Sequence, residues 1–283
     1  MRIRATVAAV SGALALSALA VPAAQADDGR SWTPSGLFAP RQAAPERMAA
    51  RSVTATDDLK ITKVVVNGGK PVVVGTKSPQ KYSVAITATD DSGIADAGTA
   101  LWIGDDIESE DSFGFFQNED AAKCKAVNAT TSTCTLSVTF DPAFMINSDA
   151  TSWHVAAAVL SNDGQIVDNT KFGKTKVQRF SKLTANAGPE PVKKGKTLTV
   201  TGKLTRAHWD TGTYKGYTQQ PVKLQFRKKG SSTYTTVKTI KSSSTGTLKT
   251  TVKASADGYW RFSFAGTSTT PAVSAAGDYV DVK

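Results

Sequence analysis

Sulfur and histidine are scarce in this chain: its 283 residues include two Cys, three Met and two His. So few soft ligands exclude a zinc finger, an iron–sulfur ferredoxin and a multi-cysteine secreted scaffold. After the N-terminus no apolar run approaches the roughly 20 residues that a membrane span needs. The serine-hydrolase elbow, the phosphate loop and the dinucleotide glycine fingerprint are all missing. No segment has the period of an ordinary amphipathic helix, and Ala121 to Val127 is the nearest candidate. Hydrophobic residues nevertheless make up 40% and charged residues 20%, a composition that folds. The length suits one large domain or two ordinary ones.

What is present begins with an export pattern. Arg2 and Arg4 precede an Ala/Leu/Val run from Val7 to Val21, and Ala24 and Ala26 frame a small-x-small cleavage site. Residues 1–26 read as a signal peptide, because the run is short and Ala-rich for a membrane anchor. Residues 27–52, with Pro34, Pro40 and Pro45, read as a flexible linker. The C-terminus shows no apolar tail or sorting signal, so the mature chain is expected to be secreted, and at most loosely associated with the cell wall. Cys124 and Cys134 fit an oxidising compartment as a disulfide. A bridge across so short a loop is worth about 2–3 kcal/mol and staples one hairpin.

The body of the chain alternates with a period of two. Tyr82, Val84, Ile86 and Ala88 share one face, as do Cys134, Leu136, Val138 and Phe140. Trp153, Val155, Ala157 and Val159 repeat the pattern, but Ala156, Ala158 and Leu160 make the opposite face apolar too. That strand is expected to be central and covered on both sides. Beyond Ser181 the alternation is cleaner, with Leu198, Val200 and Leu204, then Val222 and Leu224, then Trp260, Phe262 and Phe264. Short strands separated by Asn-Gly, Asp-Gly and Ser-Gly turn signals point to an all-β protein. Two immunoglobulin-like β-sandwich domains in tandem are expected, over 53–180 and 181–283. A weak echo links the halves: Pro71 and Pro191 each open a short Val-containing, Gly-ended segment before a long alternating strand.

Three stretches carry a family resemblance: Gly195 to Leu204 (GKTLTVTGKL), Gln220 to Arg227 (QPVKLQFR) and Gly258 to Gly266 (GYWRFSFAG). Together they resemble the bacterial Ig-like modules of secreted actinomycete proteins. Ala88 to Ile94 (ATDDSGI) and the close Cys pair resemble the domain that often precedes such a module. The resemblance implies a sandwich fold and an extracellular location, and some such proteins carry a calcium-binding label. It supplies no catalytic residues. The close Cys pair departs from the antibody pattern, in which the bridge joins distant strands.

Charge separates the halves. Residues 53–180 hold 11 basic and 16 acidic residues, net −5, and residues 181–283 hold 17 and 5, net +12. The basic half suits a polyanion such as a cell-wall polymer, or a glycan, through Arg227, Lys228 and Lys229 at a strand end. Nucleic acid is not favoured, because the basic surface lacks an evident row of stacking aromatics. The loop containing His208, Trp209, Tyr214 and Tyr217 is a second candidate contact, since exposed Trp and Tyr are strong binding residues. In the acidic half, Asp105, Asp106 and Glu108 sit in a carboxylate-rich run. Asp90, Asp91 and Asp163 lie in turn sequences. Calcium takes six to eight oxygens, so these residues are the candidate ligands, although no EF-hand spacing is present. His154 sits inside a strand, and neither His belongs to a nucleophile motif. The reading is a secreted, non-catalytic binding or structural protein acting at or outside the cell envelope. The alternatives are a calcium-binding protein and an unrecognised secreted hydrolase.

Overall fold

Period-two alternation places one set of side chains on each face of an extended chain, and burying the apolar set pairs the strands into sheets. In the computed structural model, residues 58–109 and 111–283 are described. The signal peptide expected over 1–26 and the linker expected over 27–52 lie outside the described residues.

Nine strands build the first half: β1 (Lys60–Val66), β2 (Val72–Val74), β3 (Gln80–Thr89), β4 (Ile94–Ile103), β5 (Phe113–Phe116), β6 (Lys123–Ala126), β7 (Thr131–Phe140), β8 (Ser152–Ser161) and β9 (Ile166–Arg179). They form two sheets, ordered β1-β3-β7-β6 and β2-β9-β8-β4-β5. Between them lie Val84, Ile86, Leu136, Val138, Phe140 and Trp153, all fully or nearly fully buried. β8 is interior to its sheet, and its second face is covered as well. Ala156 and Ala158 pack there with Trp102, Ile107 and Phe116. The stretch Ala121 to Val127, the nearest helix candidate in the sequence, instead contains β6. So short a run gains little from a single helical turn, and it completes a sheet edge against β7. Cys124 lies directly opposite Cys134 in that pairing, and the two are disulfide-bonded.

The second half contains β10 (Ser181–Leu183), β11 (Asn186–Gly188), β12 (Thr197–His208), β13 (Thr213–Gly216), β14 (Pro221–Lys228), β15 (Thr235–Lys241), β16 (Thr247–Lys253), β17 (Gly258–Phe264), β18 (Val273–Ser274) and β19 (Asp278–Val280). Around β12 gather β10, β11, β13 and β16. The facing sheet runs β15-β14-β17, with β18 and β19 also on β17. Leu198, Val200, Leu204, Leu224, Leu248, Trp260 and Phe262 fill the space between them.

The two proline-led segments do the same work. β2 leaves the sheet of β1 and pairs in parallel with the end of β9, Val72 opposite Val177. Val192 bridges in parallel to Val282, at the other end of its own half. Proline breaks the preceding extended run where no ladder donor is needed. The following residues then tie the start of each sandwich to its end.

Candidate functional site

The residues proposed as calcium ligands fall into two groups. Asp90 and Asp91 form the β3–β4 turn, and Asp163 lies in the β8–β9 turn at the same end of the sandwich. Ser92 joins the two turns: its hydroxyl accepts from the Asp163 N–H at 3.2 Å, and its carbonyl accepts from Asn162 Nδ2 at 2.7 Å. Asp105, Asp106 and Glu108 follow β4 at its far end. Ten residues of extended chain separate them from the first group, a span of roughly 30 Å. The two candidate sets, the carboxylate-rich run and the turn aspartates, thus lie at opposite ends of the sandwich. In the far one, Asp106 Oδ1 accepts from the Glu108 N–H at 3.0 Å and the Asp105 carbonyl accepts from Lys171 Nζ at 2.6 Å, so these residues shape a loop.

At the near end a residue missed in the sequence completes a cluster. Asp58, just before β1, brings a carboxylate oxygen within 4.8 Å of oxygens of Asp90 and Asp91. Its Oδ2 accepts from the Asp91 N–H at 3.0 Å. Asp90 is 1% exposed. Its Oδ1 accepts from the Ser92 N–H at 2.9 Å and from the Ser92 hydroxyl at 2.5 Å, whereas its Oδ2 is buried without a hydrogen-bond partner among the described residues. Asp163 is not one of this group of three. Its carboxylate accepts from Ser161 Oγ and from Gln165 Nε2, and these hydrogen bonds hold it below the usual carboxylate range. Three carboxylates with one unsatisfied buried oxygen are suitable donors for a hard divalent cation.

The aromatic loop of the basic half has a different fate from the exposed contact surface expected of it. Trp209 is 4% exposed and belongs to the core of the first sandwich. Its Nε1 donates to the Gly75 carbonyl at 2.7 Å, 134 residues upstream. Tyr217 is 8% exposed and packs in the second core, with Arg206 over its ring at 3.9 Å. Tyr214 is half-buried against the first core and meets Phe180 edge-on. Burial makes Trp209 and Tyr217 structural residues, because a plug between two sandwiches is removed from any outside ligand.

His208 belongs to the same joint. Asn147 Oδ1 accepts from Arg179 Nη1 and from the Trp209 N–H, and Asn147 Nδ2 donates to Asp210 Oδ2. That pattern fixes the amide, so its Nδ2 also points a hydrogen at His208 Nε2, 3.1 Å away. His208 Nε2 must then be unprotonated. Burial, with Lys215 beside it, holds the imidazole below its ordinary pKa. Thr211 Oγ1 lies 3.1 Å from Nδ1 and Asp210 Oδ2 lies 4.0 Å from the same atom. A nucleophile relay needs its hydroxyl and its acid on opposite ring nitrogens, which this arrangement lacks. His154 stacks on Trp102 with ring centroids 4.7 Å apart.

Backbone bonds reinforce the joint. Only Phe180 separates β9 from β10, and its N–H donates to the Val74 carbonyl while its carbonyl accepts from Ala207. Arg179 N–H donates to Thr269, and Gln178 Nε2 to the carbonyls of Thr267 and Ser268. Arg179 itself is nearly buried, and burial together with neighbouring Arg206 brings it down to about 10.

The remaining sequence candidates are presented to solvent. Lys228 and Lys229 are exposed and Arg227 is half-buried at the end of β14. Lys229 lies 3.7 Å from Asp257 and has the Tyr279 ring beneath it at 5.6 Å. Three residues not picked out in the sequence, Tyr234, Tyr259 and Arg261, join Arg227 on the outer face of this sheet. Their signal was available: Tyr259 and Arg261 alternate with the core residues Trp260 and Phe262.

These features define an all-β protein of two immunoglobulin-like sandwiches in tandem, the first carrying a cross-strand disulfide. Residues 73–159, from β2 into β8, match a family of unknown function, DUF5707. No curated protein matches the sequence. Among solved structures the chain is similar to the D00–D0 domain of intimin at 14% identity and a TM-score of 0.26, over 77% of this chain and 99% of that one. The D0–D1 domain of intimin gives 15% identity and a TM-score of 0.26, over 78% and 98%. The amphioxus IgVJ-C2 molecule gives 12% and 0.24, over 74% and 99%. Among the described residues no helix is long and apolar enough to cross a membrane.

Proposed function

We propose that this is an exported, non-catalytic binding and architectural protein acting at or outside the cell envelope, whose second sandwich engages an anionic cell-wall polymer or glycan. One observation carries the reading: the positive charge of the second half is left almost unpaired. Residues 181–283 hold 17 basic and 5 acidic residues. Among the described residues of this half, only Lys229 and Lys283 have a carboxylate within 4.0 Å, apart from the joint pair His208–Asp210. Unpaired exposed cations meet a polyanion at little desolvation cost and release its counterions. The disulfide fits an oxidising compartment. The full chain should be retained on immobilised polygalacturonate or polyphosphate at about 50 mM salt and elute steeply as salt rises. Passage through both columns unretained at low salt would refute the proposal.

A second reading is calcium binding, favoured by the buried and unsatisfied Asp90 Oδ2 beside Asp58 and Asp91. A cation there would satisfy that oxygen and offset three neighbouring carboxylates. The two readings are compatible, since they concern opposite halves of the chain.

A further inference from the structure

We infer that the outer face of the β14–β17–β19 sheet is a docking surface for an acidic polysaccharide, with Arg227 and Arg261 receiving its carboxylates. The inference rests on the polyanion reading above and names the surface and the kind of polymer. In register, Tyr259 of β17 lies opposite both Arg227 of β14 and Tyr279 of β19, and Arg261 lies opposite Gln225. All of these point away from the core, because Phe226, Trp260 and Phe262 point into it. The Arg227 guanidinium stacks on Tyr259 at 4.0 Å, and that of Arg261 stacks on Tyr234 at 3.7 Å. Tyr234 reaches across the sheet as far as Gly277, where a Cβ would come within 2.1 Å of its hydroxyl.

Stacking holds both guanidiniums flat without neutralising them. No carboxylate lies within 4.0 Å of either among the described residues. Arg261 uses Nε on Gln225 Oε1 at 2.9 Å, and Arg227 uses Nη1 on the Ser231 carbonyl at 2.6 Å. Further N–H donors of each fork remain open, and a planar fork matches a carboxylate in two-point contact. The hydroxyls of Tyr234 and Tyr259 have no hydrogen-bond partner among the described residues. The tyrosine rings already carry cations on one face, so the surface offers polar edges in place of a row for stacking bases. Guanidinium forks beside phenol hydroxyls that make no hydrogen bond among the described residues match a polymer that alternates carboxylates with sugar hydroxyls.

The test is binding of the full chain to polygalacturonate, to poly-L-glutamate of similar charge density and to neutral dextran, at one salt concentration. Polygalacturonate should bind at least about tenfold more tightly than poly-L-glutamate, and dextran should not bind. The double variant Arg227→Lys/Arg261→Lys keeps the charge and removes the forks. It should lose about tenfold on polygalacturonate and little on poly-L-glutamate. Tyr259→Phe keeps the ring under Arg227 and removes only a hydroxyl. It should weaken polygalacturonate binding about threefold, and it serves as the readout if the double variant misfolds. Equal affinity for the two polyanions, or unchanged polygalacturonate binding in a folded variant, would overturn this inference and leave the polyanion reading standing. Failure of the parent chain to bind any polyanion would overturn both.

Discussion

Replacing Trp209 by alanine should uncouple the two sandwiches that this side chain joins. The indole sits at 4% exposure in the core of the first sandwich although β12, which leads into it, belongs to the second. Truncating a buried Trp costs about 3–5 kcal/mol through lost burial and the cavity left behind. The Gly75 carbonyl also loses the donor that reaches it at 2.7 Å. An unsatisfied buried acceptor adds about 1–3 kcal/mol where water cannot replace the donor. Trp209→Phe keeps most of the apolar contact but loses that hydrogen bond and leaves a smaller cavity, so it should cost about 1–3 kcal/mol, less than the alanine variant. Urea unfolding followed by far-ultraviolet dichroism reads both variants. The parent should unfold in one transition. The alanine variant should unfold in two, the earlier one displaced by several kcal/mol, because the joint no longer couples the halves. An alanine variant that unfolds in a single transition within about 1 kcal/mol of the parent would refute the reasoning, since it would place the coupling elsewhere.

The other predictions concern pH and calcium. The His208 pKa is lowered in the folded chain, so between that value and the unfolded value of about 6.5 the unfolded chain binds more protons. The contribution of His208 is therefore complete above about pH 6.5 and is lost as pH falls through the folded value. Lys215, Arg179, Arg206 and Asp210 face the ring, and a protonated Nε2 would oppose the Asn147 amide hydrogen. His208→Gln should flatten the fall in melting temperature between pH 7.5 and 5.5, leaving the part due to His154, whose pKa is also lowered by burial. Identical slopes in parent and variant would contradict the assignment. Calcium at one hundred times its dissociation constant should stabilise the parent by about 2.7 kcal/mol. Differential scanning calorimetry should find that gain lost in Asp90→Asn and kept in Asp106→Asn, which lies at the opposite end of the sandwich. No gain in the parent, or the same gain in both variants, would remove the calcium reading.

The strands were legible because their cores alternate: β3, β7, β8, β12 and β17 bury the residues that the period selects. The covered second face of β8 was legible for the same reason, and the local disulfide from a single close Cys pair in a chain with an export pattern. The β6 segment was silent because a four-residue edge strand has too few positions to show a period. Trp209 misleads more instructively. A Trp among Gly, Thr and Asp looks like an exposed contact residue, and the surface that buries it lies 134 residues earlier in the chain. Period and turn chemistry report on neighbours along the chain and carry no information about such a partner. The missing member of the carboxylate group was hidden for a related reason: Asp58, distant in sequence, returns to Asp90 only through the pairing of β1 with β3.

The parallel pairings have a mechanical consequence. β2, near the start of the first sandwich, and β9, at its end, point the same way, and Val192 and Val282 bridge with the same polarity near the two ends of the second. Tension applied to the chain on either side of such a pair slides one segment along the other, so the bridging hydrogen bonds are stretched together and do not open one at a time. A pull between the two members of each pair is thus shared across the clasp.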